Sequence, residues 1–236
     1  MATTEGMEKY HGHLYNWYDT ISLKPLHPRY ISTVDSGNLV GHLLTLKQGL
    51  LCLQHDKIIH TNIFDGLRDT VAVLNEKAPG NKYVLQFLEE VAGVCEEKPK
   101  GLIAFKSLLD KLKESAANMV IQLNPAPDSE SEDWSEKITD QLKTNIQELN
   151  NYLPWLLIPV PEKFLHAFSL VAEMPSFCEL AKIEQYLLPG INAYYVPDNT
   201  KEENEWLDKF RVLIVQGSHR AIEFILMTER LSREWM

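Results

Sequence analysis

Cysteine is scarce in this chain: Cys52, Cys95 and Cys178 are three in 236 residues. They are widely spaced and form no Cys-x-x-Cys pair, so the sequence offers neither a disulfide framework nor a thiolate zinc site. Each sits among apolar or helical neighbours, which predicts buried free thiols in a reducing compartment, the cytoplasm. The eleven glycines are scattered, with no Gly-x-Gly-x-x-Gly and no phosphate-loop spacing, so nucleotide binding has no support and no cofactor is expected. Long apolar runs are missing too. The most apolar stretch, Leu153 to Val160, is interrupted by Pro154 and Pro159 and is far shorter than the roughly 20 residues of a membrane-spanning helix. Met1 to Met7 has no basic stretch followed by an apolar one, so no secretory signal is expected. Basic charge is in deficit: 23 Lys and Arg against 33 Asp and Glu give a net charge of −10. That average field repels a phosphate backbone and argues against nucleic acid as a partner. Neutral ligands such as sugars are not excluded by it.

What is present is an ordinary folded composition, 44% hydrophobic and 24% charged. The length suits one large domain or two small ones at roughly 100–200 residues each. Residues 1–35 are rich in His, Tyr, Pro and Gly and carry no sustained helical period. From Asp35 onward Leu39, Leu43, Leu44, Leu46, Leu50 and Leu51 recur at three- and four-residue spacings, which predicts a helix over 36–54 with one buried face. Similar patterns predict helices at 61–77, 82–97, 101–123, 133–152, 161–173 and 175–187, and a long one from 199 to the end, with Pro and Gly at the joins. Ile191 to Val196 is the one short stretch with strand-like alternation. In the acidic stretch Asp128 to Glu136, Asp133 or Ser135 is the expected N-cap of the helix that follows. The predicted fold is all-α, a helical bundle or a partial (α/α) toroid with an irregular N-terminal segment. The expected organisation is a motif-bearing segment 1–35 followed by a helical region 36–236, a single domain overall.

The most informative residues are Tyr15-Asn16-Trp17-Tyr18-Asp19-Thr20 and, after a proline-rich turn, Ser32-Thr33-Val34-Asp35-Ser36-Gly37-Asn38-Leu39. Aromatic rings cover the apolar face of a pyranose while carboxylates and amides bind hydroxyls, so this mixture suits a sugar site. A purely structural explanation competes with it. Asp35 or Ser36 stands where a helix N-cap is needed, Gly37 permits close packing, and Tyr15 and Trp17 are also ordinary core anchors.

The run from Tyr10 to Leu51, through Tyr-His-Gly-His-Leu-Tyr-Asn-Trp-Tyr-Asp-Thr and Ile-Ser-Thr-Val-Asp-Ser-Gly-Asn-Leu-Val-Gly-His-Leu-Leu, resembles the segment of cyclic β-1,2-glucan synthases between their glycosyltransferase and phosphorylase-like parts. Phe64-Asp65-Gly66-Leu67-Arg68-Asp69-Thr70 is a second matching piece. The two cover roughly a quarter of the chain; beyond about residue 80 the likeness is only of helical character. The resemblance implies an (α/α)-type barrel region of a bacterial enzyme acting on linear β-1,2-glucan and closing it into a ring. It nominates Tyr15, Asn16, Trp17, Tyr18, Asp19, Ser32, Thr33, Asp35, Ser36 and Asn38 as the glucan-binding set, with Asp19 and Asp35 as cleft acids. Members of that family are far longer and include membrane-spanning segments, so the chain is expected to be a fragment. Its cytoplasmic location would involve the inner face of the membrane only through a partner.

Glycosyl transfer needs two carboxyl groups at a set separation, and the sequence does not identify such a pair. A non-catalytic helical scaffold, or half of a split enzyme completed by another chain, is therefore the rival expectation. The long terminal helix carries Trp206, Phe210, Leu213, Ile214, Ala221, Ile225 and Leu231 as an apolar stripe, which reads as core. Left exposed, such a stripe would serve a protein partner or self-association. His11, His13 and His42 lack the spacing of a metal site, and no metal is expected.

Overall fold

The computed structural model describes residues 2–166 and 171–234. It is an all-α protein whose only paired strands, among the described residues, form one two-stranded hairpin. The chain divides into two compact units, residues 1–53 with 227–236, and residues 54–226. Among the described residues no helix is long and apolar enough to cross a membrane.

The first unit opens with α1 (Ala2–Gly6) and a hairpin of β1 (Lys9–Tyr10) and β2 (His13–Leu14), in which Lys9 faces Leu14 and Tyr10 faces His13. The two turn residues, His11 and Gly12, both have positive φ (48° and 86°), the backbone that matches the twist of a tight hairpin. An irregular loop then leads into α2 (Thr33–Leu53). The expected helix is there, but not its buried face: none of its residues is buried, and Leu39, Leu44, Leu46 and Leu53 are exposed. At about 100° per residue Leu39, Leu43, Leu46, Leu50 and Leu53 share one flank, and that flank stays exposed or half-buried.

The second unit is built on α3 (Asn62–Lys77), α4 (Lys82–Glu96), α5 (Leu102–Leu123) and α6 (Glu130–Tyr152). α3 packs on α4 and α6, and α5 on the same two, which closes a four-helix bundle. The core side chains recur at helical spacing: Phe64, Leu67, Val71 and Leu74 on α3; Val84, Phe87 and Val91 on α4; Leu102, Phe105, Leu109 and Leu112 on α5; and Ile138, Leu142, Ile146 and Leu149 on α6. Each fully buried aliphatic contributes about 1.5–3 kcal/mol relative to exposure. The α3–α4 and α5–α6 joins are capped. Asn81 accepts from the N–H groups of Tyr83 and Val84, and Asn124 ends α5 in the left-handed region. The N-cap of α6 is Ser129, which accepts from the Glu132 N–H, rather than Asp133 or Ser135. Ser135 is buried a turn later and its hydroxyl donates to the Ser131 carbonyl.

Beyond α6 the regular pattern gives way to short elements, 3-10 turns at Pro154–Leu157 and Glu162–Phe164, then α7 (Phe177–Leu180) and α8 (Ile183–Asn192), before the long terminal helix expected from 199 appears as α9 (Lys201–Glu234). Of the helix predicted over 161–173, the described part holds a 3-10 turn at Glu162–Phe164 and helical residues 165–166; residues 167–170 lie outside the described residues. The helix predicted over 175–187 is two, separated where Lys182 takes φ −105° and ψ −1°. α8 continues through Pro189, so Ile191–Val196 is a helix end and a turn instead of a strand. The terminal stripe is largely core. Phe210, Ile214 and Ala221 are buried, and Trp206 stacks on Phe164 at 5.1 Å while its Nε1 donates to the Pro159 carbonyl at 2.7 Å. The thiols depart from expectation: all three are free, but Cys52 is exposed and Cys95 and Cys178 are half-buried. Cys52 lies on α2, which buries nothing, and partial burial still pushes the Cys95 thiol above its ordinary pKa.

Gly217 on α9 is pressed against α6 and the turn after it. A Cβ there would lie 2.6 Å from the Tyr152 carbonyl and 2.8 Å from a ring carbon of Trp155. Gly217→Ala therefore destabilises by about 1–3 kcal/mol despite the helix propensity gained. Gly93→Ala, where a Cβ meets nothing within 4 Å, stabilises by up to about 1 kcal/mol. Urea unfolding of the two variants beside the parent checks the opposite signs.

Candidate functional site

A helix starts with N–H groups that have no partner inside it. At the start of α2 the Ser32 hydroxyl takes the Asp35 N–H at 3.1 Å, so Ser32 is the cap, not Asp35 or Ser36. The side chain of Asn16 completes the arrangement from 16 residues away. Its Oδ1 accepts the Ser32 N–H at 2.8 Å and its Nδ2 donates to Asp35 Oδ2 at 3.1 Å. One carboxamide thereby joins the two halves of the sequence motif. The Asn16 backbone N–H donates to the Tyr30 carbonyl at 2.9 Å, which fixes the loop on its other side.

The neighbours of Asn16 are tied in turn. Trp17 stacks on Tyr30 with ring centroids 5.8 Å apart and remains 51% exposed. Its carbonyl accepts the Leu26 N–H, and Tyr18 bridges to the buried Pro25. Tyr18 donates its hydroxyl to the Glu8 carbonyl at 2.7 Å and accepts the Tyr15 N–H at 2.9 Å. Arg29 pairs with Glu8 at 2.7 Å and lies over the Tyr15 ring, 5.6 Å from its centroid. Sequence reasoning missed Glu8, Arg29 and Tyr30 as parts of this frame. Glu8 precedes the family-like run and Arg29 and Tyr30 fall in the proline-rich turn between its two motif halves, and only the folded loop brings them to Tyr15, Trp17 and Tyr18.

The two nominated acids stand differently. Asp19 Oδ1 accepts the N–H groups of Ser22 at 2.6 Å and Ile21 at 3.1 Å, a local turn closed by its own carboxylate. The Ser22 N–H, chiefly, holds the Asp19 carboxyl below its ordinary pKa. An acid so held is ionised at neutral pH and is not poised to donate a proton. Asp35 is exposed, with Asn16 on one oxygen. Thr33 and Asn38 are exposed and Ser36 is half-buried. A Cβ at Gly37 would meet nothing within 4 Å, so close packing is not what places a glycine there. His42 Nδ1 donates to the Asn38 carbonyl at 2.7 Å. Among the described residues no three His, Cys, Asp or Glu side chains are grouped to hold a metal.

The second matching piece belongs to the bundle. Phe64 and Leu67 are core residues of α3, Arg68 reaches Asp65 and Asp69 at 3.5 and 3.7 Å, and the Thr70 hydroxyl lies 3.1 Å from Gln141 Oε1 on α6.

The chain is similar to the cyclic beta-(1,2)-glucan synthase NdvB of Rhizobium meliloti (strain 1021), 34% identical over 129 residues. The match takes in 52% of this chain and 4% of that protein, so the chain spans only a small part of the relative's length. No protein-family model matches the chain.

Asn16→Ala removes both hydrogen bonds that join the loop to α2. The backbone amides of Ser32 and Asp35 then exchange with solvent faster by about tenfold, matching the ~1–2 kcal/mol of a lost cap-type contact. Hydrogen exchange followed by NMR measures this, with the amides of Phe87 and Leu142 in the other unit unchanged.

Proposed function

We propose that the chain is a carbohydrate-active helical domain that binds β-1,2-linked glucan on its N-terminal aromatic segment. The observation that carries this reading is the Asn16 side chain: it orders Trp17 and Asp35 on one clamped frame while both remain open to solvent. A preformed frame lowers the ordering cost of binding. An exposed, stacked indole offers the flat apolar face that a pyranose ring covers. The similarity to a glucan synthase supports the choice of ligand.

Within this reading the nominated residues divide by task. Trp17, Thr33, Asp35 and Asn38 contact the sugar. Tyr15, Asn16, Tyr18, Asp19, Ser32 and Ser36 hold the loop and the helix start in place. Glycosyl transfer would need a second carboxyl group working with Asp35, because Asp19 is committed to its own turn. Binding is thus the better supported activity of these residues, and transfer a property of the larger enzyme that such a domain would serve.

Titration of the chain with linear β-1,2-glucan oligomers by calorimetry tests the proposal. Trp17→Ala weakens binding about tenfold, the equivalent of ~1–1.5 kcal/mol of ring contact, and Asp35→Ala weakens it as well. Chromatography of the same samples shows no cyclic or shortened products. No heat with the parent chain rejects the reading.

The exposed leucines of α2 favour a second role, as a helical scaffold or split-enzyme half working through another chain. Leu39, Leu46 and Leu53 are exposed at intervals of seven, with half-buried Leu43 and Leu50 between them, the alternation of three and four that helices use to pair. Sedimentation of the chain at rising concentration then shows association that Leu46→Glu abolishes. A monomer at every concentration rejects self-association.

A further inference from the structure

An open cavity of about 590 Å³ in the second unit shares no residue with the N-terminal motif. Its wall is a stitched seam. Residues 54–58 run beside the start of α7, with an antiparallel bridge between Lys57 and Ser176. The Ile58 N–H donates to the Pro175 carbonyl at 3.0 Å, and the Cys178 N–H to the Gln54 carbonyl at 2.9 Å. Glu179 locks the seam: its Oε2 accepts the Ser176 N–H at 2.7 Å and Lys57 Nζ at 3.2 Å, while its own N–H donates to Ser176 Oγ. The hydrogen bond from Ser176, first, and the neighbouring lysine keep the Glu179 carboxyl below its ordinary pKa. This wall is built before any ligand arrives.

The cavity's chemistry selects a class of ligand. Lys57 and Lys182 face Glu173 and Glu179, two charges against two, and Lys57 and Glu179 already pair with each other. An ion of either sign gains no net field in such a lining, whereas a neutral molecule carrying hydroxyl groups finds both donors and acceptors. Tyr186 lines the cavity and is 72% exposed, an aromatic face at its edge. Trp155, also in the lining, is fully buried, and its Nε1 has no acceptor among the described residues. A buried N–H without an acceptor is rare in folded proteins, and this one, behind the lining, makes the Trp155 indole signal a reporter of the cavity wall. The volume falls in the range of small-molecule sites.

We infer that this cavity is a binding site for a neutral polyhydroxyl molecule of sugar size, with Tyr186 as its ring platform and Lys182, Glu173 and His55 as hydroxyl partners. The cavity's own lining carries the inference, which stands whether or not the N-terminal segment binds glucan.

The full chain, labelled with ¹⁵N, is titrated with the β-1,2-linked glucose disaccharide and, separately, with inorganic phosphate. The Trp155 indole N–H signal, assigned by its loss in Trp155→Phe or by through-bond correlation if that variant does not fold, is expected to shift saturably with the disaccharide. Tyr186→Ala, a surface change, weakens that response about tenfold; Trp17→Ala leaves it unchanged and so separates this site from the N-terminal one. An indole signal that the disaccharide never moves, a response that Tyr186→Ala leaves intact, or a response to phosphate in place of the sugar each overturns the inference.

Discussion

The organisation of the N-terminal motif rests on the unmet N–H groups at the start of α2. Ser32 satisfies one of them, and Asn16 supplies what Ser32 cannot, holding the cap residue's own N–H with one end of its amide and Asp35 with the other. A capping requirement that most helices meet within four residues is here met across a loop. The loop is thereby fixed in place, and Trp17 with it. The structural and ligand-binding explanations of these residues are therefore not rivals: the hydrogen bonds that start the helix are the ones that order the proposed binding face.

The same principle recurs in the second unit. Glu179 closes the capping box of α7 with Ser176, and because its carboxylate also takes Lys57, the cap becomes a joint between two stretches far apart in sequence. In both places a local need of a helix end recruits a distant residue. Both are where regular packing stops and where chemistry-bearing side chains remain accessible, in contrast to the four-helix bundle, whose buried faces are almost wholly apolar. A Phe64, Leu142 or Leu149 position is about packing alone; a Trp17 or Tyr186 position leaves most of a ring in water.

Much of the helical layout was legible because period and punctuation coincide. α3, α4 and α5 each carry an apolar residue every three or four positions and end at Pro, Gly or Asn, so their predicted limits lie within two residues of the observed ones. The start of α6 was misplaced because a serine three residues ahead of a glutamate, Ser129 before Glu132, caps earlier than the acidic run suggested. Between residues 153 and 200 the period is interrupted by prolines, and short elements stand among the described residues where helices over 161–173 and 175–187 were expected, whereas the long terminal helix expected from 199 is there as α9. For the site, the sequence picked out Asn16 and Asp35 by residue type, but the role of each depended on a hydrogen bond spanning 19 residues.

The helical character of this protein, the course of its longest helices and the gathering of aromatic and acidic residues near its start all follow from the order of residues along the chain, because helix periodicity and local composition are properties of neighbours. Folding in three dimensions was needed to establish that α2 buries none of its leucines, that Ser32 and Asn16 share the capping of its first turn, that Asp19 is consumed by its own loop, and that Lys57, Trp155 and Tyr186 line one cavity. Burial and long-range hydrogen bonds depend on which surfaces meet, and no spacing along the chain encodes that meeting.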